Sequence, residues 1–302
     1  MELFEGITVL EGREACIRTL RDPELRSATD DGSASVLLMD GPDHARVREV
    51  LREIISGLEP LPPAVCAEIS RSVTSLGRRF DLVADFARPV AGTVTSAVLG
   101  VPIDDVFLGH LAATTANLDV WSGATDKAGQ ASAFRLAVQL SRDSPEAGGG
   151  LATLRAAREA GRITEDELLL NPVVLAHAAY ENSLNFLAVA GLALAEDAAL
   201  AARFRAGEAG LVRELARRIC PARFVLRSGP DGPLAISLAD GLPFGLGRHA
   251  CPGSGVALAE ADIALRALAD VLTPGCTVTD VARTSHPVFH GLTRATVTRH
   301  DG

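Results

Sequence analysis

The chain is predicted to be mainly α-helical with a small β portion, on three observations. Ala, Leu, Arg and Gly dominate its 302 residues while aromatic residues make up only 4%, and alanine and straight-chain side chains favour helix. Residues 168–195 form a long apolar run, too long for a strand and suited to a buried central helix. Residues 254–272 place Leu258, Ile263, Leu265, Leu268 and Leu272 roughly on one face with alanines between them, so a second core helix follows a glycine-rich loop.

This length can bury a full core, and without a visible repeat or linker boundary residues 1–302 read as one domain. A net charge of −9 with no Lys/Arg block argues against nucleic acid as a partner. Met1 to Gly6 shows no basic region leading into an apolar run, so no signal peptide is expected. No uninterrupted apolar stretch of about 18 residues is present, so no membrane span is expected either. Cys16, Cys66, Cys220, Cys251 and Cys276 are odd in number and dispersed, which suits a reducing, cytoplasmic setting rather than a disulfide framework. No CxxC or HExxH spacing offers zinc a site.

Taken in order, residues 7–10 alternate as a short strand and 11–20 read as a helix closing into Arg21-Asp22-Pro23. Residues 26–34 are small and polar, a loop. The turn Asp40-Gly41-Pro42-Asp43 opens a helix over 43–55, on which His44 and Arg48 share a face at i and i+4. Two such donors one turn apart can bind a carboxylate. Helices are predicted over 64–76, 87–101, 105–118 and 130–141, with a loop over 122–129 and an apolar segment at 80–86. Residues 144–150, ending in three glycines, read as a mobile loop. Thr164 with Glu167 three residues on is a capping box opening the central helix. In the middle of that helix Glu181 and Asn182 are polar in an apolar setting, where a buried charge without a purpose is costly. Residues 207–222 read as a helix, 229–233 as a tight turn, 234–238 as one short strand, and 277–298 as a terminal hairpin.

The stretch carrying the chemistry is Phe244-Gly245-Leu246-Gly247-Arg248-His249-Ala250-Cys251-Pro252-Gly253. A cysteine just ahead of a helix N-terminus feels the positive end of the helix dipole and unpaired amides, both of which favour thiolate. A thiolate in a rigid loop suits axial ligation of haem iron, with glycines leaving room for the macrocycle. The order Phe-Gly-x-Gly-x-His-x-Cys-x-Gly resembles the cysteine loop of the cytochrome P450 family, and other segments extend the resemblance. The 39–50 segment resembles the family's His-x-x-x-Arg helix. Residues 80–102 resemble its Asp…Phe…Pro…Leu-Gly-Val-Pro run. Residues 178–183 resemble its small-small-x-acid-alcohol motif, and Glu214-Leu215-Ala216-Arg217 with Pro221 and Arg227 its Glu-x-x-Arg region.

The resemblance implies a P450-like fold holding haem b (iron protoporphyrin IX), with Cys251 as the proximal iron ligand. It implies propionate contacts from His44, Arg48, Arg227 and His249, and a loop built on Phe244, Gly245 and Gly253. It also implies a distal wall in which Ala178 and Ala179 make room, Glu181 and Asn182 lie nearest the oxygen side, and His177 faces the substrate. Glu214 and Arg217 would form a buried lock behind the haem. Three departures stand out. Asn182 replaces the alcohol, the N-terminus is short, and only residues 228–243 separate Arg227 from the cysteine loop, so the β-rich edge and the meander are reduced. The implied function is monooxygenation of a small organic substrate in specialised-metabolite or antibiotic biosynthesis, with electrons from ferredoxin and ferredoxin reductase. Two alternatives stay open: a redox-neutral or peroxide-driven haem-thiolate enzyme in which Glu181 and His177 do acid/base work, and a haem-free accessory protein.

Overall fold

The computed structural model describes residues 7–27, 33–115, 127–143, 145, 148–272, 276–285 and 288–300. Its axis is the helix Glu165–Glu196, 32 residues long. The helix begins where a capping box satisfies two orphan amides: Glu167 N–H donates to Thr164 Oγ1 (3.2 Å) and Thr164 N–H to Glu167 Oε2 (2.7 Å). Glu167 also takes the Arg46 guanidinium in a bidentate pair, at 2.7 and 2.8 Å, which ties this helix to the one carrying His44.

In chain order, β1 (Thr8–Leu10) leads to α1 (Arg13–Leu20), then α2 (Gly41–Ser56), α3 (Pro63–Thr74) and β2 (Arg79–Asp81). A π-helical turn over Leu82–Ala87 opens α4 (Arg88–Leu99). Asp81 is the reason the chain turns there: its Oδ1 accepts from the amides of Val83 and Ala84, and its Oδ2 from Ala295. Next come α5 (Asp105–Thr115), α6 (Lys127–Arg142), α7 (Gly150–Glu159), the central helix α8 (Glu165–Glu196), α9 (Ala198–Arg205) and α10 (Leu211–Ile219). Strands β3 (Phe224–Gly229) and β4 (Gly232–Ser237), α11 (Ser254–Val271), β5 (Thr277–Arg283) and β6 (Leu292–Thr298) complete the chain.

Helices α4, α6, α7 and α11 pack against α8, and the core between them is filled by Leu82, Phe86, Leu99, Leu187 and Leu268. Each such side chain contributes about 1.5–3 kcal/mol by leaving water. Two small sheets flank the helices. One has the order β1-β4-β3, with β1 parallel to β4, and the other is the antiparallel set β2-β6-β5. A second, smaller core of Cys16, Leu20, Cys220, Ile236 and Leu238 lies under the first sheet. Segment Leu82–Leu99 reaches a mean hydropathy of 1.2 over 18 residues, long and apolar enough to cross a membrane. Half of it is buried, and Val90, Val94, Val98 and Leu99 belong to the core.

The mainly helical expectation holds, and the strands at 7–10, 234–238 and 277–298 are found close to where the pattern put them. Helices α7 and α9 were not anticipated: both are short, and alternating Ala and Arg blur their periodicity. The loop expected over 122–129 is corrected at its end, since Lys127 already opens α6; residues 122–126 lie outside the described residues, as do 28–32 of the expected loop at 26–34. The triple glycine is also corrected. A Cβ on Gly149 would stand 2.5 Å from Gly100 Cα, and one on Gly150 would stand 2.3 Å from the Val98 carbonyl oxygen. These glycines let the start of α7 meet the end of α4 backbone to backbone, so they are a packing contact and not a mobile linker. The Glu214–Arg217 lock is absent: both residues are exposed, and Glu214 reaches Arg203 and Arg218 at 3.4 and 3.9 Å. With only residues 228–243 between Arg227 and the cysteine loop, no described residue covers that face of α10 enough to bury the pair.

Candidate functional site

The cysteine loop is built from its own backbone. Gly245 N–H donates to Leu242 O (2.9 Å), Ala250 N–H to Gly247 O (3.1 Å) and Cys251 N–H to Phe244 O (2.8 Å). Gly247 has φ +74° and lies so close to the end of α1 that a Cβ would stand 2.5 Å from the Leu20 carbonyl oxygen; only glycine fits. Arg248 donates to the carbonyls of Asp22, Pro23 and Leu25, strapping the loop to residues 22–25. Among the five cysteines Cys251 alone is exposed, yet protein crowds it from several sides, so its thiol lies in a recess. Burial pushes that thiol up, while the Gly253 amide and Arg48 pull it down. The expected pull of the helix start toward thiolate is present in the Gly253 amide, and desolvation outweighs it in the protein by itself. A coordinated metal deprotonates a thiol outright.

Beside the loop lies a cationic group with one carboxylate. His44, on α2, is buried and its ring stands 4.0 Å from that of His249, tilted by 37°. His249 Nε2 meets Ser27 Oγ at 3.0 Å and Asp40 Oδ1 at 3.2 Å. Ser27 N–H donates to the second Asp40 oxygen at 2.7 Å. Burial, His44 and Arg227 together hold the His249 imidazole down at about 4 despite Asp40, and burial and Arg48 likewise lower His44. Arg227 is half-buried, its guanidinium turned to the Leu226 carbonyl at 2.6 Å, and desolvation lowers it too. Arg48 donates to the carbonyl of Ala250, directly before the cysteine. Among the described residues, His44 Nε2 and Arg48 Nε are buried without a partner.

The third set lies on α8. Ala178 is exposed and Ala179 half-buried, so this stretch of a core helix has an open face. Glu181 is 9% exposed, burial raises its carboxyl, and its Oε2 has no partner among the described residues. Asn182 is half-buried. The His177 ring lies 5.9 Å from Phe289, and its Nε2 meets Thr115 Oγ1 at 3.1 Å. Deeper in, Ser183 Oγ donates to Glu260 of α11 at 2.7 Å. Glu260 is 1% exposed and pushed up to about 8 by burial.

The structure thus brings His44, Arg48, Arg227, His249, Phe244, Gly245, Gly253 and Cys251 to one place, and His177, Ala178, Ala179, Glu181 and Asn182 to a separate stretch of α8. Helix α11, which starts at the loop, packs along α8 and joins the two. Sequence reasoning missed Asp40, Ser27, Thr115 and Glu260 as members. Asp40 reads as a helix-start residue and Ser27 as loop filler, and neither carries a local signal of its partner more than 200 positions away.

These residues fit haem. Two imidazoles and the guanidiniums of Arg48, Arg227 and Arg248 gather around one carboxylate, Asp40, and are short of negative charge. His44 is buried, Arg48, Arg227 and His249 are half-buried and Arg248 is exposed, and among the described residues two of the donors are orphaned. The two propionates of a porphyrin supply what is missing. The recessed, accessible thiol next to them matches the soft-ligand side of such a site.

No protein-family model matches the chain. Among curated proteins it is similar to 20-oxo-5-O-mycaminosyltylactone 23-monooxygenase of Streptomyces fradiae, with 25% identity over 352 aligned positions covering 93% of this chain and 81% of the relative. It is also similar to cytochrome P450 GfsF of Streptomyces halstedii, with 27% identity over 224 positions covering 68% of this chain and 54% of the relative, so just over half of that protein is spanned. Its fold superposes on that of Mycobacterium smegmatis CYP164A2, solved in the ligand-free state, with a TM-score of 0.82 at 24% identity over 96% of this chain and 90% of the other. The fold is that of the cytochrome P450s, with a reduced β-rich edge, and in sequence the chain is similar over most of its length to a bacterial P450-type monooxygenase.

Proposed function

We propose that this chain binds haem b through Cys251 and oxidises a small organic molecule in specialised-metabolite biosynthesis, in the cytoplasm, with electrons delivered by a ferredoxin and its reductase. One observation carries the proposal: the single exposed cysteine stands beside a cationic, largely half-buried group whose buried donor atoms His44 Nε2 and Arg48 Nε lack partners among the described residues. The relative from S. fradiae, named 20-oxo-5-O-mycaminosyltylactone 23-monooxygenase, supports oxidation of a small organic molecule.

When bound, the haem supplies thiolate-ligated iron that activates oxygen. The chain's residues do the rest. Cys251 holds the iron. His44, Arg48 and Arg227 hold the propionates through charge-assisted hydrogen bonds, while Asp40 and Ser27 fix the His249 ring. Ala178 and Ala179 keep the α8 face free of side chains, and Phe289 limits access beside His177. Glu181, whose carboxyl burial pushes up, stands on the distal side.

A second reading has its own support. Asn182 cannot pass a proton as a hydroxyl does, and His177 and Glu181 are a titratable pair on one face. Both suit a redox-neutral or peroxide-driven reaction. The deciding experiment is the absorption spectrum of the haem-loaded protein, reduced under carbon monoxide. A red-shifted Soret band is expected, and Cys251→Ala should abolish it. Haem without that band supports the second reading. No haem binding after reconstitution defeats both and leaves a haem-free accessory role.

A further inference from the structure

We propose that Arg223, His290 and Arg283 form a binding site for a small oxyanion, a carboxylate or a phosphate, on the side of the chain turned away from α8. None of these residues is assigned to haem, so the site stands apart from the proposed oxidation.

The site is built on a short ribbon. Arg223 N–H donates to Val288 O and His290 N–H to Pro221 O, each at 2.8 Å, and Ala222 pairs with Phe289 between them. Side chains alternate across such a ribbon. Phe289 takes one face, where its ring lies 5.9 Å from that of His177. Arg223 and His290 share the other face as diagonal neighbours, about 7–8 Å apart at Cα. Arg283 joins them from the end of β5. It pairs with Leu292, and Thr284 N–H donates to Gly291 O at 3.1 Å, so the same alternation carries His290 onto the face of Arg283. Two guanidiniums and an imidazole from three separate segments meet there.

The group lacks a counter-charge. Arg223 and His290 are half-buried and Arg283 is exposed, and among the described residues no ion pair includes any of the three. Arg223 Nε is buried without a partner, and leaving a donor on a charged group unmet is costly. Burial, then Arg223 and Arg283, hold the His290 imidazole down, and only the Ile219 backbone draws it the other way. Asp240 acts on Cys220 together with Arg223, but its carboxylate is already committed to the Gly12 amide at 2.8 Å. The C-terminal end of α10 attracts cations, and its last turn supplies Arg217 and Arg218 for that. A guanidinium with free donors in one plane matches the paired oxygens of a carboxylate or phosphate. Arg283 leaves the site open to solvent, while Arg223 Nε lies at its buried end.

The test uses the intact chain as purified and follows the His290 ring by NMR, assigned by its loss in His290→Gln. Sodium acetate and sodium phosphate are titrated separately at fixed pH, with sodium chloride in parallel at matched ionic strength. At least one oxyanion should shift the His290 signal to saturation, and chloride should not. The tighter of the two identifies the ligand group as carboxylate or phosphate. Arg223→Gln should raise the midpoint roughly 10- to 100-fold through loss of charge-assisted hydrogen bonds. Arg223→Lys keeps the charge without Nε and should fall between. If Arg223→Gln does not fold, Arg283→Gln, at an exposed position, carries the same comparison. No saturation with either oxyanion, an equal response to chloride, or midpoints unmoved by these substitutions overturns the site. The readout does not involve haem, so a protein lacking the thiolate spectrum defeats the proposed oxidation alone. A thiolate spectrum without saturable oxyanion binding defeats the site alone.

Discussion

Cys251 differs from the other four cysteines in what surrounds it. Cys220 is buried against two carbonyls at 3.2 Å and pushed up to about 12, and burial also raises Cys16 and Cys276; such thiols are inert. Cys251 has Arg48 and a helix-start amide against it and an accessible face. Truncating His44 or Arg48 to Ala removes one charge-assisted bond worth about 1.5–3 kcal/mol, so haem affinity should fall roughly 10- to 100-fold in a haem titration of the apoprotein. Asn182→Thr should raise the product formed per electron pair if electrons are used, and an unchanged ratio supports the redox-neutral reading. The cysteine loop and the His44–Arg48 pair were legible because their members are sequence neighbours. Asp40, Ser27 and Thr115 were not, because each meets its partner only across the fold.

Helix α8 depends on how it starts. Losing the Thr164 hydroxyl strips one cap bond from Glu167, whose other contacts anchor Arg46 of α2. Thr164→Ala should lower unfolding free energy by about 1 kcal/mol in urea melts, and it should loosen α2, which carries His44. The junction of α4 and α7 tolerates less. Gly149→Ala drives a Cβ into the Gly100 backbone and should cost about 1–3 kcal/mol by the same measurement. The capping box was readable as four consecutive letters. The glycine contact read as a linker, because a run of glycines looks the same whether it is free or pressed against a neighbouring backbone.

Across the molecule, Glu260 links α11 to α8 from a fully buried position. Its carboxyl is held at about 8 in the folded protein against an ordinary value near 4.5. Between these values the folded state keeps a proton that the unfolded chain releases, so stability is full below about 4.5 and declines as pH rises toward 8. The span corresponds to on the order of a few kcal/mol. Glu260→Gln should flatten the dependence of the denaturation midpoint on pH between 5 and 8. An equally steep dependence in the variant would place the effect on another group.

The local signals in the chain were enough for the helical class, the order of most elements, the shortened β-rich edge and the cysteine loop. All are written in periodicity, capping letters and spacings between near neighbours. Packing decided the rest: that Glu214 and Arg217 lie in solvent, that His249 belongs to Asp40 and Ser27, that the glycines at 149 and 150 are a contact, and that His177 meets a hydroxyl from α5. Burial and long-range hydrogen bonds depend on which surfaces the fold brings together, and no window of sequence contains both partners.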